Sequence, residues 1–407
     1  ESFKKWLKRP KIREKITGKM TNKTARVVVG MSGGVDSSVA AYLMKEQGYE
    51  VIGIFMKNWH DETVTISDEC PWLEDSYDAM IVAKKLMIPF QVIDFSKEYK
   101  KRIVDYMFSE YKVGRTPNPD ILCNKEIKFD LFLKKALEFN ADYIATGHYA
   151  SVRKKGNVFE LISGLDKKKD QSYFLCQLNQ NQLSKIIFPL GNLNKAAVRE
   201  IAKKNNLVTA DKKDSQGLCF IGKVKLPIFL QQKLKKKSGK IILVPKTLSI
   251  YSSNKKINDL DELSNGYVYD ENDGEVVGTH VGAHFYTIGQ RKGISVGGTK
   301  DPLYVISLDT KKNILYVGEG DNHPGLMRKV LSVKKSQFHN IDDGYDITKI
   351  HGLKARIRYR QALQSVQVKR INNKYFFIFD EYQKSITSGQ FVAVYKDDVL
   401  LASGVIS

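Results

Sequence analysis

An apolar β-branched run, Val27-Val28-Val29, leads straight into Gly30-Met31-Ser32-Gly33-Gly34-Val35-Asp36-Ser37-Ser38. The run predicts a buried strand. The adjacent glycines 33 and 34 allow a tight turn in which backbone N–H groups converge on one point. Ser37 or Ser38 is expected to cap the helix that follows, where Val39 and Leu43 stack one turn apart until Gly48 stops it. A strand, a glycine turn and a helix N-terminus together form an anion site, and nucleotide phosphates are its natural occupant. No Gly-Lys-Ser/Thr follows, so the loop is not a Walker A motif. A plain strand-to-helix packing turn would explain single glycines but not the longer string.

Strand and helix patterns alternate beyond the loop. Strands are predicted at Val51–Met56, Phe90–Phe95 and Tyr143–Thr146, and helices over about 73–86, 97–111 and from 124 onward. This βα alternation predicts an α/β fold with a doubly wound parallel sheet. In such sheets ligands sit beyond the carboxyl ends of the strands. The loop at 30–37, Met56-Lys57-Asn58 and Gly147-His148 all fall at strand ends and are expected around one nucleotide pocket. Met56 is placed to flank an adenine, and Gly147 to allow close backbone approach.

From about Lys225 the pattern changes. A lysine-rich run at 233–240 is followed by short β-like segments, among them Lys240–Val244, Tyr267–Tyr269, Tyr304–Leu308 and Phe391–Tyr395. These predict a small β-rich central domain and a C-terminal β-barrel. The expected units are a basic, disordered extension at 1–19, a catalytic domain at 20–225, a central domain at 226–298 and a barrel at 299–407. The extension could be a transit-peptide remnant; without it the chain reads as cytoplasmic and bacterial-type.

Lys and Arg total 66 against 45 Asp and Glu, a net charge of +21. Such a balance favours an acidic polymer as partner. No long apolar run exists, so no membrane partner is expected. The four cysteines, Cys70, Cys123, Cys176 and Cys219, are far apart. That spacing argues against a zinc site and a disulfide scaffold, and no metal-ligand set is assigned.

Two cysteines lie in polar loops. Gly114-Arg115-Thr116-Pro117-Asn118-Pro119-Asp120-Ile121-Leu122-Cys123 is stiffened by prolines and is expected to deliver Cys123 to the start of a helix. There the helix dipole and Lys125 would lower the thiol pKa, and Asp120 could handle a proton. Lys212-Lys213-Asp214-Ser215-Gln216-Gly217-Leu218-Cys219 is a basic loop, and Cys219 is a candidate nucleophile or sulfur carrier. Cys176, in an apolar run, reads as core.

The Ser-Gly-Gly-x-Asp-Ser string resembles the pyrophosphate loop of ATP pyrophosphatases, which transfer AMP to an acceptor oxygen. Joined to Phe55-Met56-Lys57-Asn58-Trp59, Ala145-Thr146-Gly147-His148-Tyr149, Lys169-Asp170-Gln171-Ser172-Tyr173, both cysteine loops, Gly289-Gln290-Arg291-Lys292-Gly293 and Arg358-Tyr359-Arg360-Gln361, it makes the chain similar to the tRNA-specific 2-thiouridylases. The resemblance runs from about residue 25 to the end. It departs in the basic N-terminus, in extra length between Lys240 and Tyr286, and in Gln216 where Thr is expected.

The resemblance implies that Gly30, Met31, Ser32, Gly33, Gly34, Val35, Asp36 and Ser37 hold ATP, with Asp36 assisting Mg2+, and that Met56 and Gly147 contact the nucleotide. It implies that Cys219 carries a persulfide from a sulfur-donor protein (a cysteine desulfurase or relay protein). Cys123 would be the catalytic thiol, and Asp120 would serve as acid/base or orient the base. Asn118, Pro119, Asp120, His148, Lys169, Asp170 and Gln171, with Arg358, Tyr359 and Gln390 from the barrel, would line the base pocket and anticodon path of a tRNA. A monomer without an iron–sulfur cluster is expected, although Asp120, Cys123 and Cys219 would be the ligands if a cluster were used. Two rivals stand: another ATP pyrophosphatase-loop synthetase adenylating a small molecule, and a non-catalytic RNA-binding protein.

Overall fold

The computed structural model describes residues 24–58, 71–214, 226–252 and 259–407. The 1–19 extension, Cys70 and Cys219 lie outside the described residues.

The first unit is built on a five-stranded sheet in the order β3-β2-β1-β4-β7. Its strands are β1 (Arg26–Gly30), β2 (Glu50–Lys57), β3 (Phe90–Asp94), β4 (Tyr143–Ala145) and β7 (Ile186–Ile187). All their pairings are parallel. The β-branched run is continuous because both faces of β1 are covered. Val28 packs with the helical layer that contains Ile121, Cys123 and Phe132, while Val27 and Val29 pack with the opposite layer around Val39 and Leu43. On β2, Ile54 and Met56 face the first layer, and Val51 and Phe55 the second. Helix α1 (Val35–Glu46) follows the glycine loop and α2 (Pro71–Lys85) precedes β3. The doubly wound α/β expectation therefore holds.

A hairpin that sequence reasoning did not resolve follows β4: β5 (Ala150–Lys155) and β6 (Val158–Ser163). It leaves the parallel sheet and pairs through β6 with the last strand of the chain, Val399 opposite Ile162 and Leu400 opposite Leu161.

The central unit is a four-stranded sheet, β10-β11-β8-β9, made of β8 (Gly239–Leu243), β9 (Glu275–His280), β10 (Leu303–Asp309) and β11 (Ile314–Glu319). Strands β10 and β11 were expected in the barrel. They belong here because β11 runs parallel to β8, with Leu315 opposite Ile241. Tyr267–Tyr269, expected as a strand, is loop; its rings pack on Tyr251 and Tyr316 instead.

The barrel begins at β12 (Met327–Asn340) and continues through β13 (Lys354–Arg356), β14 (Gln364–Ile371), β15 (Lys374–Lys384), β16 (Phe391–Lys396) and β17 (Val399–Ile406). The order β12-β15-β14-β13-β16-β17 closes by a β12–β17 pairing. Side chains two apart, such as Tyr375, Phe377 and Phe379, or Val392 and Val394, fill its interior. The long β12 spans two neighbours: Val330–Lys334 pairs with β15, and Phe338–Asn340 with β17.

Candidate active site

The glycine loop sits at the carboxyl edge of the parallel sheet. Helix α1 starts at Val35 with Gly34 as its N-cap and no side-chain cap, so Ser37 and Ser38 are inside the helix rather than capping it. Their hydroxyls donate back to the Gly34 carbonyl at 3.1 and 2.9 Å. Ser37 Oγ also accepts from the Ser32 N–H at 3.0 Å, which folds the turn over the helix end. Gly33 has φ +71°, and a Cβ there would overlap the carbonyl of Asp75 on α2. A Cβ on Gly147 would lie 2.7 Å from the Asp36 carbonyl carbon and 2.8 Å from Ser37 N. Met56 Cε stands 3.3 Å from where a Gly30 Cβ would be. The loop, Met56 and Gly147 are thus one assembly. Met31 and Val35 are buried and serve packing; Ser32 is exposed.

Asp36 projects from the first turn of α1 into a network that sequence reasoning missed. Both of its carboxylate oxygens accept from Lys195 Nζ at 2.8 Å, and Oδ1 also accepts from Tyr149 Oη at 2.8 Å. The same ammonium lies 2.7 Å from Asp214 Oδ1. Asp214 further binds Lys169 at 2.6 Å and Arg199 at 3.1 Å. Partial burial pushes the Asp214 carboxyl up, but hydrogen bonds from Lys169 and Lys195, and their charges, outweigh it and hold it at about 2. Burial, then Asp36, pushes the Tyr149 phenol far up, so it stays a donor. A signal for Lys195 existed. It opens the helix Lys195–Lys204, directly after the N-cap Asn194. A cation there opposes the helix dipole and needs carboxylates to hold it.

Cys123 does not stand at a helix N-terminus. The helix begins at Pro119, and Asn118 caps it by accepting from the Ile121 N–H at 3.2 Å. Cys123 ends this first stretch, Pro119–Cys123, and is fully buried. The dipole argument for its thiol therefore fails. The helix then widens into a π-helical stretch, Asn124–Leu131, before returning to α geometry over Phe132–Glu138. Asp120 is half-buried in the first turn. Cys176 is core, and burial pushes its thiol up to about 12.

All three units meet on the segment that leads to Cys123. Gly114 abuts Leu308 and Thr310, and Thr116 Oγ1 is 3.1 Å from Thr287 Oγ1. From the barrel, the Ser388 carbonyl accepts from the Thr116 N–H at 2.9 Å, and Gln390 Nε2 donates to the Thr116 and Pro117 carbonyls at 2.9 and 3.2 Å.

Three family models match in chain order: "tRNA methyl transferase HUP domain" over residues 25–223, "tRNA methyl transferase PRC-barrel domain" over 255–319, and "Aminomethyltransferase beta-barrel domain" over 328–406. A tRNA-specific 2-thiouridylase MnmA of Christiangramia forsetii is 59% identical over 94% of this chain and 100% of its own length. The chain belongs to the tRNA-specific 2-thiouridylase family. The Flavobacterium johnsoniae member is 57% identical over the same shares. Among solved structures, a 4-thiouridine synthetase–RNA complex with bound ATP aligns at TM-score 0.33 and 19% identity over 49% of this chain and 46% of that one, too loose to add to the assignment.

For a thiouridylase the residues expected along the tRNA path are not equivalent. Asp170 is buried, with Oδ2 2.8 Å from Arg356 Nη2 and Oδ1 accepting from the Gly164 and Ser172 N–H groups at 3.0 Å each. It ties the catalytic domain to the barrel and offers no oxygen outward. His148 is also buried, its Nδ1 2.7 Å from Thr146 Oγ1 and its ring between Phe129 and Phe188. Burial, with Lys128 as a lesser cause, pushes its pKa well below the ordinary value, so it is neutral at physiological pH. Gln171 is spent on the Tyr149 backbone, and Gln390 on the 116–118 segment. Arg358 is exposed but donates to the Lys384 and Ser385 carbonyls. Tyr359 packs on Phe174 at 4.5 Å between ring centroids. Pro119 is buried, and Asn118 and Lys169 are half-buried.

Proposed function

We propose that this chain makes 2-thiouridine at the wobble position of tRNA, by adenylating the C2 oxygen with ATP and replacing it with sulfur from a cysteine persulfide. The observation that carries the ATP half is the fit of Gly147 against the Asp36–Ser37 backbone beside the folded Ser32–Ser37 turn. That geometry leaves a helix N-terminus aimed at a phosphate chain, as nucleotide pyrophosphate cleavage needs.

A uracil carbonyl oxygen is a poor leaving group. Its attack on the α phosphate expels pyrophosphate and gives a C2–O–AMP ester, from which AMP departs easily. Lys195 and the Ser32–Ser37 turn supply the positive field for the phosphates. Asp36 offers one carboxylate beside them. Mg2+ takes one or two carboxylates together with phosphate oxygens and waters, so this donor set fits it. When bound, the ion would neutralise phosphate charge.

The sulfur half rests on Cys123 and Cys219. A persulfide on Cys219 is ionised at neutral pH and attacks C2, releasing AMP. The Cys123 thiolate then attacks the Cys219 sulfur and cleaves the S–S bond. This leaves the thiocarbonyl on the base and a Cys123–Cys219 disulfide, which an external dithiol reduces with two electrons. Asp120 orients the base or moves its proton. Four cysteines without a close pair suit this chemistry better than an iron–sulfur cluster. A persulfide-donor protein loads Cys219, and the enzyme acts as a cytoplasmic monomer. The +21 charge suits the tRNA phosphates.

The test is AMP formation from ATP with unmodified tRNA. AMP release that requires a tRNA with an unmodified wobble uridine supports the reading. AMP release driven instead by ammonia or an amino acid favours the synthetase alternative.

A further inference from the structure

Asn58 directly follows the last residue of β2, Lys57, and is buried to 1% exposure. Neither its Nδ2 nor its Oδ1 has a hydrogen-bond partner among the described residues. A buried primary amide with both ends unsatisfied is a standing penalty on folding, and native proteins keep such groups where something else completes them. Its place narrows what that is. Ile54 and Met56 turn to the Cys123 layer; Asn58 is two residues beyond Met56 and one past the strand end, where continued alternation would keep it on that side. Met56 on that face reaches the start of the phosphate loop at Gly30. Ligands of parallel sheets lie beyond these strand ends.

We infer that the Asn58 amide reads the adenine ring of ATP. The inference rests on the ATP site proposed above. With the phosphates at the β1 turn, the base must lie over a neighbouring strand, β2 or β4. Beyond β4, His148 Nδ1 is engaged by Thr146 and the Tyr149 hydroxyl by Asp36. Beyond β2, Asn58 holds a buried donor and acceptor side by side that no described residue pairs. That pair matches adenine, whose 6-amino group donates while an adjacent ring nitrogen accepts. A thioether such as Met56, packed on the same face, suits the flat ring. Asn58 is thereby a specificity residue for the nucleotide, distinct from the loop that holds its phosphates.

The experiment is calorimetric binding of α,β-methylene-ATP, which cannot be cleaved between the α and β phosphates, and of its purine riboside analogue, which lacks the 6-amino group. Melting temperatures of the ligand-free proteins are measured alongside. The wild type is expected to prefer the adenine nucleotide by about tenfold or more, as one lost bidentate contact implies. Asn58→Leu and Asn58→Ala are expected to bring the two affinities together while leaving the ligand-free melting temperature unchanged or, for Leu, raised. An intact adenine preference in both variants, or no preference in the wild type, would overturn the inference while leaving the ATP site standing. Failure of the wild type to bind either nucleotide would overturn the ATP site as well.

Discussion

Lys195 holds Asp36 by both carboxylate oxygens, each 2.8 Å from its Nζ, at the mouth of the phosphate loop. The same ammonium pairs with Asp36 and Asp214. A triphosphate brings several negative oxygens to the same place, and the ammonium can turn to them. Lys195→Met should therefore lower the rate of AMP formation about a hundredfold, in line with losing one preorganised donor to developing charge. AMP formation within a few-fold of wild type would make the lysine merely structural.

Asp214 links that lysine to the segment entering the Cys219 loop. Its carboxyl is held at about 2, against an ordinary 3.8. A depressed carboxyl adds stability that is complete above the ordinary value and is lost as pH falls through the folded one. The wild type should thus lose stability between about pH 4 and 2 faster than Asp214→Asn does. Parallel acid-unfolding curves for the two proteins would contradict the assignment.

Gly33 and Gly147 admit no side chain. Gly147→Ala would press a methyl group to 2.7 Å from the Asp36 backbone. We expect a loss of about 1–3 kcal/mol of stability, as overpacking costs, and ATP affinity weakened at least about tenfold through the displaced loop. Urea denaturation and nucleotide titration of the same variant measure both.

The buried Asp170–Arg356 pair joins two domains. Asp170→Ala strands a buried guanidinium and should cost about 3–5 kcal/mol, whereas Asp170→Ala combined with Arg356→Met should recover much of that loss. The salt dependence of tRNA binding should keep its slope in the folded double variant, because no phosphate contact is removed. A changed slope would place Arg356, the cation removed, on the tRNA path.

The fold was legible where burial is simple. The run Val27–Val29 sits in the middle of a sheet covered on both faces, so its composition alone marks it. Pairing between distant segments was not legible. Nothing in Ala150–Ser163 says that its hairpin will join β17, and nothing in Ile314–Glu319 says that it will pair with β8 rather than enter the barrel. At the site, the glycine loop is a local motif and was readable. The Asp36–Lys195–Asp214 bridge was not, because it joins three segments far apart in sequence. The placement of Cys123 at a helix start failed for a local reason: Asn118 and Pro119 start the helix earlier than the polar loop suggested.

The most direct measurement is mass spectrometry of nucleosides from unmodified tRNA treated with this protein, ATP, Mg2+ and a persulfide donor, beside Cys123→Ser and Cys219→Ser. Formation of 2-thiouridine by the wild type alone, with AMP released, is the predicted result. Full 2-thiouridine formation by either cysteine variant, or none by the wild type while AMP is still released, would contradict the two-thiol transfer.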